Sequence, residues 1–266
     1  MLTAKERLEL IQAKVERAYK HIDDVHNTLK IFGEAKPYTV IAKSDLQTKK
    51  ITYFVFDCAP IPVLLNVQTG DAIHNLRASF DYLAQQLYLV GTGTEYTAKH
   101  IHFPFDISKS QFDSALRKKV QGMRQDAIDA IRALEPYKGG NGEKLWVLSQ
   151  LDNIDKHRLL ITVGSAFKSV DVISEFAGAF GDDPIWDDLK RMSLFISAAD
   201  KLCPLEHGDE LYIGGAQDKF DEHKKFKFEI ALHESGLVEA ANLLKTLHDF
   251  HNLVRDTISA FEPCLA

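Results

Sequence analysis

The chain has 266 residues, of which 45% are hydrophobic and 26% charged, a balance that supports a buried core and excludes a polar, disordered chain. Lys and Arg number 32 against 38 Asp and Glu, a formal charge of -6 at pH 7, which argues against broad electrostatic capture of nucleic acid or anionic lipid. Cys58, Cys203 and Cys264 stand far apart with no C-x-x-C pair, so neither a disulfide framework nor a thiolate zinc site is expected. The charged first residues lack the pattern of a secretory signal, and no stretch approaches the ~20 apolar residues of a membrane span. A cytoplasmic protein without membrane partners is the expectation.

Leu8, Ile11, Val15, Ala18, Ile22, Val25, Leu29 and Phe32 alternate steps of three and four, which predicts a long helix with one apolar seam, stopped by Gly33. Residues 38–43 and 51–57 are β-branched and aromatic runs on either side of a polar connection, and they read as a hairpin. A long helix follows from Val63 or Gly70 to Val90. Shorter ones are expected over 110–120, with Ser110 and Asp113 placed to cap it, and over 124–134, before Pro136. The run Gly139-Gly140-Asn141-Gly142 leads into a helix over 143–156. It follows a helix rather than a strand and lacks the Gly-Lys-Ser/Thr ending of a phosphate loop, so it reads as a turn.

Strand signals recur at 159–167, 170–176, 193–197, 210–213 and 225–232, with turn clusters at 181–184 and 214–215, an antiparallel meander. Leu237, Ala240, Leu244, Leu247, His251, Val254, Ile258 and Phe261 then repeat the three-four rhythm after Ser235 and Gly236, and Pro263 ends it. His251 occupies an apolar position of that seam, as a core histidine or as the border of a site. Residues 1–266 therefore read as one α+β domain, a helical bundle with long N- and C-terminal helices packed against a single antiparallel β-sheet. The two seams suit packing within the chain or a homodimer interface.

Polar groups concentrate in two places. On the long middle helix Ile73, Leu76, Phe80, Leu83 and Leu87 share one stripe, and Asp71, His74, Asp81 and Gln85 stand opposite, flanked by Arg77 and Tyr82. Neighbours three and four apart meet on a helix, so Arg77 is expected to reach both His74 and Asp81. The second concentration is Asp152, Asn153, Asp155, Lys156, His157 and Arg158, at the end of the helix that starts near Glu143. There Ser149, Asp152 and Lys156 oppose the apolar Val147, Leu148, Leu151 and Ile154. Cations at that helix end also complement the macrodipole.

The strings G-D-x-x-H-N-L-R-x-x-x-D-x-L-A and L-W-x-L-x-x-L-D-N-I-D-K-H-R-x-L, with Phe103-Pro104-Phe105 between them, resemble a family of bacterial and phage proteins that carries no assigned activity. The resemblance implies that His74, Asn75, Arg77, Asp81, Asp152, Asn153, Asp155, Lys156, His157 and Arg158 form one constellation. A more distant similarity is to the HEPN helical ribonucleases, which place an Arg and a His on one helix and complete the site across a dimer. Here the order departs from theirs: His74 precedes Arg77, and only three residues separate Arg17 from His21.

From these residues the candidate catalytic set is His74, Arg77, Asp81, Asp155 and His157, with Asn75, Asp152, Asn153, Lys156 and Arg158 as ligand-binding groups. His74 and His157 would serve as acid and base, Asp81 or Asp155 would orient an imidazole, and the cations would stabilise a developing anion. The expected ligand is a small anion or nucleotide-like molecule, and a metal-independent ribonuclease is the alternative. The third reading is a buried network that fixes two helices without catalysis. No cofactor motif is present. Asp71/His74, Asp152/Asp155 and His248/His251 are spaced as ligand pairs, but each is an incomplete set, and cations flank the first two; His100 and His102 alternate along an extended stretch and read as a surface pair, so no metal is expected.

Overall fold

The fold is that of a computed structural model, described over residues 2–94, 101–158, 161, 163–172, 195–197, 203–214 and 224–266. Thr3 starts the first helix, α1 (Ala4–Glu34): its hydroxyl accepts the Glu6 N–H, and the Glu6 carboxylate takes the Thr3 N–H in return, satisfying two end donors reciprocally. Leu8, Ile11, Val15, Ala18, Ile22, Val25 and Phe32 are buried, so the seam packs within the chain, each large side chain contributing about 1.5–3 kcal/mol of transfer free energy. Gly33 is not the stop. The helix runs past it, and Lys36 at φ 51° turns the chain, donating its N–H to the Gly33 carbonyl.

The hairpin β1 (Tyr38–Ser44) and β2 (Ile51–Cys58) forms as expected. Helix α2 (Val63–Thr92) then runs antiparallel to α1, with Arg7 near its end bonding Gln86 and Thr28 bonding Gln68. Because α1, α5 and α6 all pack on it, α2 is buried on several sides: Thr69, Asn75 and Ser79 lie inside along with the apolar stripe. Helix α3 (Lys109–Lys119) is capped by Ser108, whose hydroxyl accepts the Gln111 N–H; Ser110 lies within the helix instead of capping it. After α4 (Gln125–Leu134), the glycine run folds back on that helix's end, with the Gly142 N–H on the Glu135 carbonyl and the Gly140 N–H on that of Tyr137. Those donors serve the turn, and α5 (Glu143–Arg158) follows.

The remaining strands are β3 (Val163–Asp171), β4 (Phe195–Ser197), β5 (Glu210–Ile213), β6 (Phe226–Glu234) and β7 (Val238–Asn242), before α6 (Leu243–Ser259) and a terminal 3-10 turn (Glu262–Leu265). All pairs are antiparallel, but they build two sheets, β1-β2-β5 and β4-β3-β6-β7, rather than one. The reason lies in the long apolar face of β6. Phe226 and Phe228 pack on a cluster with Val55, Phe167, Val170 and Leu211, while Ile230 and Leu232 join the helical core. One face thus covers the hairpin sheet at one end and the bundle at the other, which side-by-side pairing would not permit.

The last helix also starts later than its seam suggests. Gly236 at φ 75° makes a turn and residues 238–242 return as β7 along β6, so Leu237 and Ala240 leave the seam. Asn242 caps α6 by accepting the Lys245 N–H. Among the described residues, no helix is long and apolar enough to cross a membrane. The strand signals at 159–160, 173–176 and 193–194, the turn at 181–184, Gly215 and His100 lie outside the described residues.

Candidate functional site

The site forms where α2 crosses α5. A helix packed on two sides has no single wet stripe, and the buried face of α5 includes Ser149 and Asp152 beside Leu145, Leu148 and Leu151. The expected separation of Asp152 from the packed face is therefore reversed. Its side chain is 1% exposed, with Oδ1 2.9 Å from Nδ1 of His74 and Oδ2 paired with Lys156 one turn on. A buried carboxylate needs such partners to offset its desolvation. An ionised Asp152 requires the proton on Nδ1, so a neutral His74 ring presents the lone pair of Nε2. That side chain is 48% exposed.

Asp155 lies against the same turn of α2. A Cβ added at Gly70 would stand 2.3 Å from Oδ1 of Asp155, so only glycine leaves the carboxylate its place. Burial first, then the charges of Asp152 and Asp71, push the Asp155 carboxyl above the ordinary carboxylate value, opposed by His74 and Lys156. Asp155 thus holds a proton more readily than a solvated aspartate does.

One turn further along α2, Arg77 builds a separate cluster. Its Nη1 lies 3.0 Å from Oδ1 of Asp81, its Nε donates to Ser149 Oγ at 3.3 Å, and its guanidinium carbon sits 4.5 Å from the Phe105 ring centroid. Asp81 also accepts the Phe103 N–H at 3.4 Å and has His102 Nδ1 at 3.9 Å. Phe103 and Phe105 pack in turn on Phe80, at 4.8 and 5.5 Å between centroids. These contacts pin the Phe-Pro-Phe segment onto α2, and Arg77 links it to Ser149 of α5.

The ten sequence-selected residues are therefore divided. His74, Asp152, Asp155 and Lys156 meet, and Arg77 and Asp81 meet beside them, but Arg77 does not bond His74. Asn75 faces α1, accepting from Lys14 Nζ at 3.5 Å while its amide donates to the Asp71 carbonyl. Arg158 reaches away to Glu234 of β6 at 4.0 Å. Asn153 and His157 are exposed; two residues past Asp155, His157 lies about 200° round the helix, and no hydrogen bond or ion pair joins it to His74. Sequence reasoning gave no site role to Gly70, which opens the first motif, or to Phe105, which lies between the two motifs, and it missed the orienting role of Asp152. Among the described residues no group of three or more His, Cys, Asp or Glu side chains could hold a metal ion. No protein-family model, no curated protein and no solved structure matches this chain.

Proposed function

We propose that the α2–α5 face is an acid–base site that binds a small polar molecule, with His74 as the base. The carrying observation is the half-exposed imidazole fixed through Nδ1 to a fully buried carboxylate. Such a pairing sets the tautomer, holds the ring and stabilises the imidazolium that forms when Nε2 takes a proton from a bound hydroxyl or water. Asp155, with its raised affinity for a proton, is the neighbouring acid. Lys156 Nζ pairs with the second oxygen of Asp152.

The charge pattern shifts support from an anionic to an uncharged ligand. Arg77, Lys156 and Arg158 each face a carboxylate, so the positive charge that an anion would need is already matched. Arg77, Asp81, Ser149 and Phe105 support a second role, scaffolding: their groups bond or stack on one another and set the helix crossing that places His74.

The test uses p-nitrophenyl acetate and bis(p-nitrophenyl) phosphate as probes of imidazole-dependent acyl and phosphodiester hydrolysis. His74→Ala is expected to remove hydrolysis of at least one probe and Asp152→Asn to reduce it about a hundredfold, within the range of general base catalysis. His157→Ala leaves it unchanged. Equal rates in the wild type and His74→Ala for both probes would reduce the dyad to scaffolding.

A further inference from the structure

A second cavity lies at the C-terminal end of α1. Strand β7 ends with Asn242 opposite Ala231, so among the described residues β6 from Phe226 to Ile230 pairs with β3 alone. A cavity of about 350 Å³ opens there, between Leu29, Phe32 and Gly33 of α1, the edge of β6, and Leu244 of α6. Its size is that of a small-molecule pocket. One wall is aromatic: Tyr38 stacks on Phe228 at 4.2 Å between centroids, and Phe32 meets Tyr38 edge-on at 6.4 Å.

The polar groups of this cavity converge on one buried carboxylate. Glu229, 9% exposed, takes Lys168 Nζ at 3.3 Å and Asn242 Nδ2 at 3.1 Å, both on Oε2. The Asn242 amide is fixed at its other end as well, because Oδ1 accepts the Lys245 N–H. By donor count, the Asn242 amide keeps one N–H beyond the bond to Glu229 and the Lys168 ammonium keeps two. The cavity therefore offers donors. Among the described residues that line it the formal charges balance, Lys168 against Glu229, and the carbonyl end of α1 adds partial negative charge. A carbonyl oxygen suits that combination, and a carboxylate does not.

Gly33 completes the argument. It has ordinary helical backbone and does not end α1, so no turn requires glycine at this position. A Cβ there would meet no atom within 4 Å. The glycine costs helix propensity, and its effect is to keep one side of the cavity open.

We infer that this cavity binds an uncharged planar aromatic molecule bearing a carbonyl or amide, its ring on the Tyr38–Phe228 wall and its oxygen on Asn242 and Lys168. The site is independent of the His74 dyad. Benzamide and benzoate, which differ in charge but share a ring, are the probes, titrated to millimolar concentration against full-length protein with methyl-labelled Leu and Ile. Benzamide is expected to shift the Leu29, Ile230 and Leu244 methyls saturably and to show intermolecular NOEs to Ile230. Benzoate binds at least about fivefold more weakly, the scale of one unmatched charge at a partly solvated site. Gly33→Trp fills the open side and abolishes the shifts, while its melting temperature is not lowered. Absence of the NOEs in the wild type, shifts that survive in Gly33→Trp, or benzoate binding as tightly as benzamide would each overturn the assignment; the NOE measurement stands whether or not the Trp variant folds.

Discussion

Gly70 and Asp155 fit together as a hole and its plug: the space a Cβ would take on α2 is filled by the carboxylate from α5, 2.3 Å from that Cβ position. Gly70→Ala is therefore expected to expel a flexible carboxylate rather than to strain backbone. Alanine gains about 1 kcal/mol of helix propensity, which offsets lost packing, so urea unfolding should place the variant within about 1 kcal/mol of the wild type. Carboxyl-carbon NMR should find Asp155 titrating near an ordinary aspartate. A variant that unfolds outright, or an unchanged Asp155, would contradict this account.

The same carboxyl gives a pH dependence with a definite sign. Asp155 is raised in the folded state above its ordinary 3.8, by burial and then by Asp152 and Asp71. A raised acid stabilises the fold below its unfolded value, and that contribution is lost as pH rises through the folded value. Asp155→Asn should thus be more stable than the wild type at pH 7, and the advantage should disappear below about pH 4. Paired urea denaturation curves at the two pH values check it; an Asn variant less stable at pH 7 would mean that the charge has a favourable partner.

What the sequence disclosed and what it hid have separate physical causes. The α1 seam and the β1–β2 hairpin were legible because each has a single buried face and a period to match. The start of α6 was not, because Val238, Ala240 and Asn242 suit alternation as well as the three-four rhythm, and the positive φ of Gly236 decided for a strand. The two motifs marked helices that do meet, and the Arg77–Asp81 pair among their residues, but not the partner of His74. Local i,i+3 reasoning joined Arg77 to His74, whereas His74 found Asp152, 78 residues away, since a carboxylate buried between helices has more to gain from an imidazole than an arginine already on Asp81. The face of α5 that carries Asp152 was hidden for a related reason: packing on both α2 and α6 leaves no dry-versus-wet stripe to read.

Arg77→Lys tests the scaffolding half of the site. The Arg77 side chain is 14% exposed, and its planar group serves Asp81, Ser149 and the Phe105 face together. An ammonium can keep the pairing with Asp81 but has no flat face to lay on the ring and no Nε for Ser149. The expected loss is about 1–2 kcal/mol in chemical denaturation, from one buried hydrogen bond and a partly desolvated cation–π contact. Ring-current shifts of the Phe105 segment should change with it. Wild-type stability with an unmoved Phe105 would show that the stack carries no energy.

His251 sits in the α6 seam with Nε2 buried and without a hydrogen-bond partner, its ring 5.1 Å from that of Tyr19 on α1. Burial lowers its pKa below the ordinary 6.5, Arg255 and His248 act in the same direction, and Asn252 and Glu16 oppose them. For a base depressed in the fold, the contribution to stability is present above the unfolded value and lost as pH falls. Acidification from pH 7 to pH 5 should therefore weaken the packing of α6 on α1, since charging the ring buries a cation whose Nε2–H has no acceptor. His251→Leu keeps the apolar volume and removes the titration, so its stability should fall less over the same interval. The measurement is the difference between the two urea midpoints at each pH, and a difference constant from pH 7 to pH 5 would mean that the proton finds the buried ring as readily as it finds one in water.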